Sequence, residues 1–398
     1  MWGVGHENPL RLKAVFSGLN ECPINKKMLK ELTRPFKAIL SARFLGRPFI
    51  LSHLITRRCN ADCPFCLWKA VAPQAKAVPA SGGPGVPEEE LDTPGVKGLY
   101  AQAGKLGFLS VVVWGGEPLL REDFPEVLQS ARQSGLKTTI ITNGYYLPER
   151  LGDIGPYLDT LLVSIDAPGE LHDSLRRLPG TFRRATEGIR AIRARFPEVR
   201  CIIISVITGQ NLQEVGGLLE FSHKERLPII FQAINLRDYG PSPRPIESQA
   251  VPPREGQSMA FRLIRQAKAR GFPVVNSYEY LNACINTNGH YRCHYKKLVL
   301  RVDANGDVMD CTRPGRVMAN VRQKTLQEII ESPGYQDFIK RAESCNLCVD
   351  AGTLEASYLW ELHPRPLFEA LRFLSSRGTA VGSGPATRAP TGLKRAGV

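Results

Sequence analysis

Six short apolar runs recur along the first part of the chain, at 49–55, 108–114, 137–142, 160–165, 201–207 and 228–234, each rich in Val, Ile or Leu. A strand with one wet face alternates apolar and polar residues; these runs do not, so they read as strands covered on both faces. The stretches between most of them repeat their apolar residues at helical spacing. Strands that alternate with amphipathic helices build a parallel α/β sheet, with ligands gathered at the carboxyl ends of the strands. Further on, Leu298 to Val302 and Asp307 to Met309 flank Asp303-Ala304-Asn305-Gly306, a pattern that predicts a β-hairpin turning at Asn305-Gly306.

Outside this body the pattern changes. Phe36 to Leu45 predicts an amphipathic helix with Phe36, Ile39, Leu40 and Phe44 on one face and Pro35 suited to its first turn. Ala70 to Pro87, rich in Ala, Pro and Gly, shows no periodicity and reads as an insertion, while the tail from Thr379 lacks the apolar content to fold. The expected layout is a basic arm (1–48), an α/β body (49–240), a linker and helix (241–280), a cysteine-bearing module (281–350), and a C-terminal helix with a disordered tail (351–398).

Composition narrows this picture. The chain has 398 residues, 43% hydrophobic and 23% charged, enough for a barrel-sized core and a smaller module. No apolar run reaches membrane-spanning length and the N-terminus lacks a secretory pattern, so the expected location is cytoplasmic. The net charge of +14 is concentrated at the ends: residues 1–58 carry eleven Lys/Arg against three acids, and residues 365–398 carry six against one. A nucleic-acid enzyme would place its cations around the site, so no nucleic-acid partner is expected. The arm helix either packs on the body with its cations solvated or, as a basic amphipathic segment, makes peripheral contact with an anionic membrane surface.

The ten cysteines, several in clustered spacings, point to thiolate metal ligands rather than disulfides. Directly after the first strand run, Cys59, Cys63 and Cys66 stand in a C-x3-C-x2-C spacing. Three thiolates on one short loop suit a cubane iron–sulfur cluster with one iron left open. Structural zinc requires four ligands, and the loop supplies no fourth; His53 precedes it inside the apolar run.

This loop resembles that of the radical S-adenosylmethionine (SAM) enzymes. The resemblance implies a (βα)6 partial barrel in which Cys59, Cys63 and Cys66 hold a 4Fe-4S cluster. The open iron would chelate the amino and carboxylate groups of SAM, with Phe65 near the adenine. Gly115-Gly116-Glu117-Pro118, after the second strand, matches the family's GGE turn, which meets the SAM amino group. Asn143 after Thr142, Ser164 and Asp166 around Ile165, and Asn211 beyond Thr208 fall at strand ends where the family places contacts to the methionine and ribose parts of SAM. By themselves these are also ordinary turn and cap residues. In the next stretch, with His172-Asp173, Arg176-Arg177 and Pro179-Gly180, Thr181 is expected to cap a helix. Cys201 is expected to be a buried, inert thiol.

A second set follows. Cys293, Cys311, Cys345 and Cys348 form C-x12-G-x4-C with a later C-x2-C, resembling the SPASM and twitch modules that carry auxiliary iron–sulfur clusters. Four thiolates fully ligate one cubane, or equally one zinc ion. No cysteine follows Cys348, which argues against a two-cluster module, and Cys284 is a substitute for Cys293 while Cys22 has no assigned role. The resemblance further implies a reductant such as flavodoxin or ferredoxin. The unidentified substrate is a peptide or protein, a small metabolite or, if the arm meets a membrane, a lipid or isoprenoid. No leader-docking module is recognisable before residue 49. The alternative of another class is a non-enzymatic zinc-binding interaction protein.

Overall fold

The computed structural model describes residues 42–43, 46–66, 90–236, 246–286, 291–313, 316–363 and 366. Of the predicted arm helix only Ala42 and Arg43 are described: both are helical, Ala42 is buried with Leu298 and Val299, and Arg43 donates to Trp360 O at 3.2 Å; Phe36, Ile39, Leu40 and Phe44, the Ala70–Pro87 stretch, Cys22 and the tail lie outside the described residues. All six strand expectations are met, with ends shifted by two residues at most: β1 (Ile50–Thr56), β2 (Ser110–Gly115), β3 (Lys137–Thr142), β4 (Thr160–Ser164), β5 (Arg200–Ile207) and β6 (Ile229–Ala233). Helices α1 (Thr93–Lys105), α2 (Phe124–Gln133), α3 (Leu147–Ile154), α4 (Glu170–Arg176), α5 (Thr181–Arg195) and α6 (Val215–Glu225) connect them. Adjacent strands pair in parallel. Their outward side chains, Val111, Ile140, Leu161 and Ile203 among them, are fully buried beneath the helices. Their inward ones line a cavity.

A seventh strand completes the sheet, giving the order β6-β5-β4-β3-β2-β1 followed by β7 (Val299–Val302). It runs parallel to β1, with Ser52 opposite Arg301 and His53 opposite Val302. The hairpin expectation is thereby corrected. The turn forms, with Gly306 at φ +91° and its N–H donating to Asp303 O at 2.9 Å, but its arms separate. Val299–Val302 joins the barrel edge, while β8 (Asp307–Met309) pairs antiparallel with β9 (Val317–Asn320). The apolar Val-Leu-x-Val segment gains more from burial against β1 than from a three-residue partner.

At the opposite edge, α7 (Arg254–Ala269) leads to a chain segment that runs beside β6. Val274 bridges Ile229, and the Asn276 side chain accepts from Phe231 N (2.8 Å) and donates to Phe231 O (2.9 Å), standing in for a strand. The C-terminal part then adds α8 (Tyr278–Asn286), the short α9 (Tyr295–Leu298), α10 (Leu326–Glu331), α11 (Pro333–Glu343) and α12 (Ala351–Trp360). A capping box between Thr325 and Glu328 starts α10, and the Asp350 carboxylate accepting from Thr353 N at 2.8 Å starts α12.

The Thr181 cap expectation is also corrected. Gly180 occupies the N-cap, and the carboxylate of Asp173 accepts from both Gly180 N (2.6 Å) and Phe182 N (2.8 Å). Thr181 turns its hydroxyl back onto Leu178 O. A carboxylate satisfies two orphan amides where a hydroxyl would satisfy one.

His53 and His172 are fully buried, and each has an Nε2 with no hydrogen-bond partner. Burial, aided by Arg121, pushes His53 down to about 3, and burial with Arg176 pushes His172 down to about 4. Both are neutral in the fold, while an unfolded histidine takes up a proton below about pH 6.5. Their contribution is therefore complete above that pH and is lost as pH falls toward 4 and then 3. Each lost group steepens the decline by about 1.4 kcal/mol per pH unit. Urea unfolding at pH 6.5 and 5.5 is expected to show the drop in stability between them reduced by about 1 kcal/mol in His53→Gln, since the unfolded imidazole is already half protonated at the upper pH; an unchanged drop would reject the assignment.

Candidate active site and cysteine centres

The chain leaves β1 as a loop folded against the carboxyl end of the sheet. Glu90 is buried there and accepts from the Thr56 hydroxyl (2.9 Å) and Arg57 N (2.8 Å). Arg121, fully buried, donates to Ile55 O and Leu91 O at 3.1 Å and is held by both oxygens of Asp123. A guanidinium with carboxylate partners and carbonyl acceptors is one way to bury a charge without an unpaired penalty. Nothing in Leu120-Arg121-Glu122-Asp123 distinguishes it from a surface turn, so sequence reading missed it.

Gly115 and Gly116 are required by the chain's own backbone. Gly116 N donates to Thr56 O at 2.8 Å and Glu117 N to Arg58 O at 2.7 Å, so the turn lies directly on the cysteine loop. A Cβ at Gly115 would stand 2.3 Å from Thr56 O, and one at Gly116 would stand 2.0 Å from Arg58 O. Glu117 points away from the cavity. Its fully buried carboxylate accepts from the Thr142 hydroxyl (2.7 Å), Asn143 N (2.8 Å) and Leu119 N (3.0 Å), tying the end of β2 to the end of β3. Burial raises its pKa above the usual carboxylate range, and those three hydrogen bonds oppose the rise.

From α4, the Arg176 carbonyl accepts from Asp62 N (3.1 Å) and the Cys63 thiol (3.9 Å), while its guanidinium lies 5.6 Å from the Phe65 ring centre. Asp166, fully buried, holds that guanidinium at 2.7–2.8 Å and accepts from Val206 N at 2.9 Å. Asn211 bonds to the carbonyls of Asp166 and Val206. Arg176 thus carries positive charge beside the cysteine loop, a role visible only once the fold brings α4 and β4 together.

One cavity of about 880 Å³ opens at this end of the sheet. Cys59, Cys63, Cys66, Phe65, Gly115, Gly116, Asn143 and Ser164 line it; Glu117, Pro118, Asp166 and Asn211 lie behind its wall. Cys293, Cys311, Cys345 and Cys348 line the same cavity from the C-terminal side. There Cys293 N donates to Cys345 O at 3.2 Å, and the Tyr291 hydroxyl donates to Cys348 O at 2.8 Å. Cys284 is not among the lining residues; its thiol bonds to Tyr280. Arg57, on the first cysteine loop, pairs with Asp303 of the C-terminal part at 2.9 Å, joining the two cysteine regions.

The donor set fits iron–sulfur chemistry. Burial pushes the Cys63 thiol up to about 12 and Cys59 higher still, and it pushes Cys293 up to about 12. As free groups these thiols keep their protons, and only a metal would draw them off. Cations oppose the shift, Arg176 at Cys63 and Lys296 at Cys293. Ala61 N donates to Cys59 Sγ at 3.4 Å, the kind of contact that tunes a cluster. Among the described residues no three His, Cys, Asp or Glu side chains form a group that holds a single metal ion. Cys201 is buried, raised to about 12 and remote from both sets.

Comparison with known proteins agrees with this geometry. Residues 54–222 match the radical SAM superfamily model, and residues 293–349 match the SPASM iron–sulfur cluster-binding domain. The PqqA peptide cyclase of Rhizobium meliloti is 28% identical over 321 residues, covering 76% of this chain and 78% of the relative. The AdoMet-dependent heme synthase of Methanosarcina barkeri is 27% identical, covering 72% and 82%. Among solved structures, Streptococcus suis SuiB superposes with a TM-score of 0.58 at 16% identity over 83% of this chain and 78% of SuiB, a likeness of fold.

Proposed function

Because the chain belongs to the radical SAM superfamily and carries a SPASM iron–sulfur domain, we propose that it generates a 5′-deoxyadenosyl radical at the Cys59, Cys63, Cys66 site and directs it at a substrate held in the shared cavity. It is an enzyme that uses SAM, a 4Fe-4S cluster and an auxiliary cluster. The observation that carries the reading is that both cysteine sets face one cavity large enough for SAM and a further molecule. When bound, the cluster and SAM supply one-electron cleavage of the sulfonium to methionine and the radical.

The chain's own residues position and shield. Cys59, Cys63 and Cys66 hold the first cluster. The backbone of Gly115 and Gly116, Asn143 and Ser164 meet the methionine and ribose parts of SAM, and Phe65 packs against its adenine. Glu117, Pro118, Asp166 and Asn211 support these contacts from behind: Glu117 fixes Asn143, and Asp166 fixes Arg176. Arg176 offers its charge to the anionic groups gathered at that loop. The apolar lining from Leu54, Ile141, Leu162 and Ile204 excludes water from the reacting carbon.

The substrate is a peptide or a small metabolite, a reading supported by the relatives above, one named a peptide cyclase and the other a heme synthase. A soluble reductant of the flavodoxin or ferredoxin type supplies the electron. The SPASM match favours iron–sulfur over zinc for Cys293, Cys311, Cys345 and Cys348. Anaerobically reconstituted enzyme is expected to contain about eight irons and to form 5′-deoxyadenosine from SAM and dithionite. Changing the four C-terminal cysteines to Ala lowers iron to about four. Absence of 5′-deoxyadenosine overturns the proposal, and four irons with one zinc overturns the second cluster.

A further inference from the structure

Near the C-terminal cysteines lies a buried cation with no counter-charge among the described residues. Lys296 sits on the one-turn helix α9, shortly after Cys293, lines the cavity and is only 7% exposed. Its ammonium stands 4.8 Å from the centre of the Tyr295 ring and 5.9 Å from that of Phe338. Its side chain makes no ion pair or hydrogen bond among the described residues. The carboxylates of this part of the chain are engaged elsewhere: Glu343 with Lys297 at 2.7 Å, Glu361 with His294 at 3.1 Å, Asp310 with Arg341 at 2.7 Å, and Asp350 with Thr353 N at 2.8 Å. We propose that Lys296 is the counter-ion of the C-terminal iron–sulfur cluster and raises its reduction potential. The inference rests on the reading that Cys293, Cys311, Cys345 and Cys348 hold that cluster.

A buried ammonium with no anion beside it is costly, and two aromatic rings offset only part of that cost. A cubane held by four thiolates supplies what is missing, because it carries net negative charge that grows by one when an electron arrives. The position matches. The Lys296 charge reaches Cys293, where it opposes the rise that burial imposes on the thiol. The chain between the two is fixed: His294 N donates to Ser357 Oγ at 3.0 Å, Lys297 N to His294 O at 3.0 Å, and the Tyr335 hydroxyl to Lys296 O at 3.5 Å. A substrate comes and goes with each turnover, whereas a buried charge calls for a resident partner, which favours the cluster over an anionic group of the substrate.

The sign follows from the charges. A cation stabilises the reduced, more negative cluster more than the oxidised one, and burial strengthens that preference by lowering the local dielectric. At the first cysteine loop the guanidinium of Arg176 is held by Asp166 at 2.7 Å, which cancels much of its field. Lys296 has no such partner among the described residues, so an added electron is held better on the C-terminal cysteines than their thiolates alone would allow.

The experiment is a redox titration of the anaerobically reconstituted full chain, followed by electron paramagnetic resonance with and without SAM, whose binding marks the signal of the first cluster. In Lys296→Met the reduction equilibrium of the C-terminal cluster is expected to fall about tenfold, about 59 mV for one electron, with iron kept at about eight per chain. Lys296→Arg, which keeps the charge, stays within about twofold of the wild type. Lys297→Met, which removes a neighbouring cation already paired with Glu343, also stays within about twofold. Lys296→Gln serves if Lys296→Met does not reconstitute, and the same fall is expected in it. A wild-type potential in Lys296→Met or Lys296→Gln overturns the proposal, and so does an equal fall in Lys296→Arg, which would mark a packing effect, or in Lys297→Met, which would mark unspecific surface charge. A wild-type preparation with about four irons and no second signal overturns it through the cluster reading itself. That failure is distinguishable from a second cluster whose potential ignores Lys296.

Discussion

Replacing Cys59, Cys63 and Cys66 together with Ala is expected to abolish 5′-deoxyadenosine formation while leaving about four irons per chain on the C-terminal cysteines. On the proposed assignment the loss is complete rather than graded, because the variant lacks all three proposed ligands of the first cluster, and without the cluster no electron reaches SAM. The fold survives the change. The three cysteines pack beside Ala61, Phe65, Leu175 and Ile234 in a cluster separate from the main core, so truncating them removes little buried area. The loop stays anchored by Glu90 on Arg57 N and by the Arg176 carbonyl on Asp62 N. Iron analysis and product assay on the same sample make the check. Cleavage of SAM by the triple variant would defeat the assignment, whatever its iron content.

The second large effect is structural. Gly116→Ala would drive a Cβ to 2.0 Å from Arg58 O, a backbone atom that cannot swing aside. The backbone at that point is pinned from both sides, by Gly116 N on Thr56 O and Glu117 N on Arg58 O. We expect a loss of roughly 3–5 kcal/mol, in the range of severe core substitutions, with the cysteine loop displaced and the first cluster lost. Gly98→Ala in α1 is the control: nothing lies within 4 Å of its Cβ, and a mid-helix alanine is expected to stabilise by about 0.5–1 kcal/mol. Thermal melts of both variants, with iron content, decide the matter. A Gly116→Ala enzyme that melts and binds iron like the wild type would show that the turn is more pliable than its contacts imply.

Sequence and structure diverge where a residue's partners are distant. The six strands were legible because their apolar runs are local, and the meeting of Cys59, Cys63 and Cys66 at one cavity because a single loop carries all three. The seventh strand was not. Asn305-Gly306 is a strong turn signal, so Val299–Val302 looked like a hairpin arm, whereas its partner Ile50–His53 lies at the start of the body. The same applies to Arg176, whose meaning depends on Asp166, Phe65 and Cys63, and to Arg121, which looks like a surface residue until Ile55 and Leu91 close over it. Glu117 shows the reverse. Its motif was readable, but the three hydrogen bonds that engage its carboxylate depend on where β3 ends.

The pairing of β7 with β1 also bears on how the chain is made. During synthesis β1 emerges early, and its hydrogen-bonding edge waits until β7 has been translated. An apolar strand edge left open that long is a template for the wrong neighbour. Long-range parallel pairing of this kind is slow to form and exposes the nascent barrel to aggregation. Recovery of folded protein should therefore depend on translation speed and chaperone supply, and any version ending before Val299 should accumulate as inclusion bodies although it carries Cys59, Cys63 and Cys66.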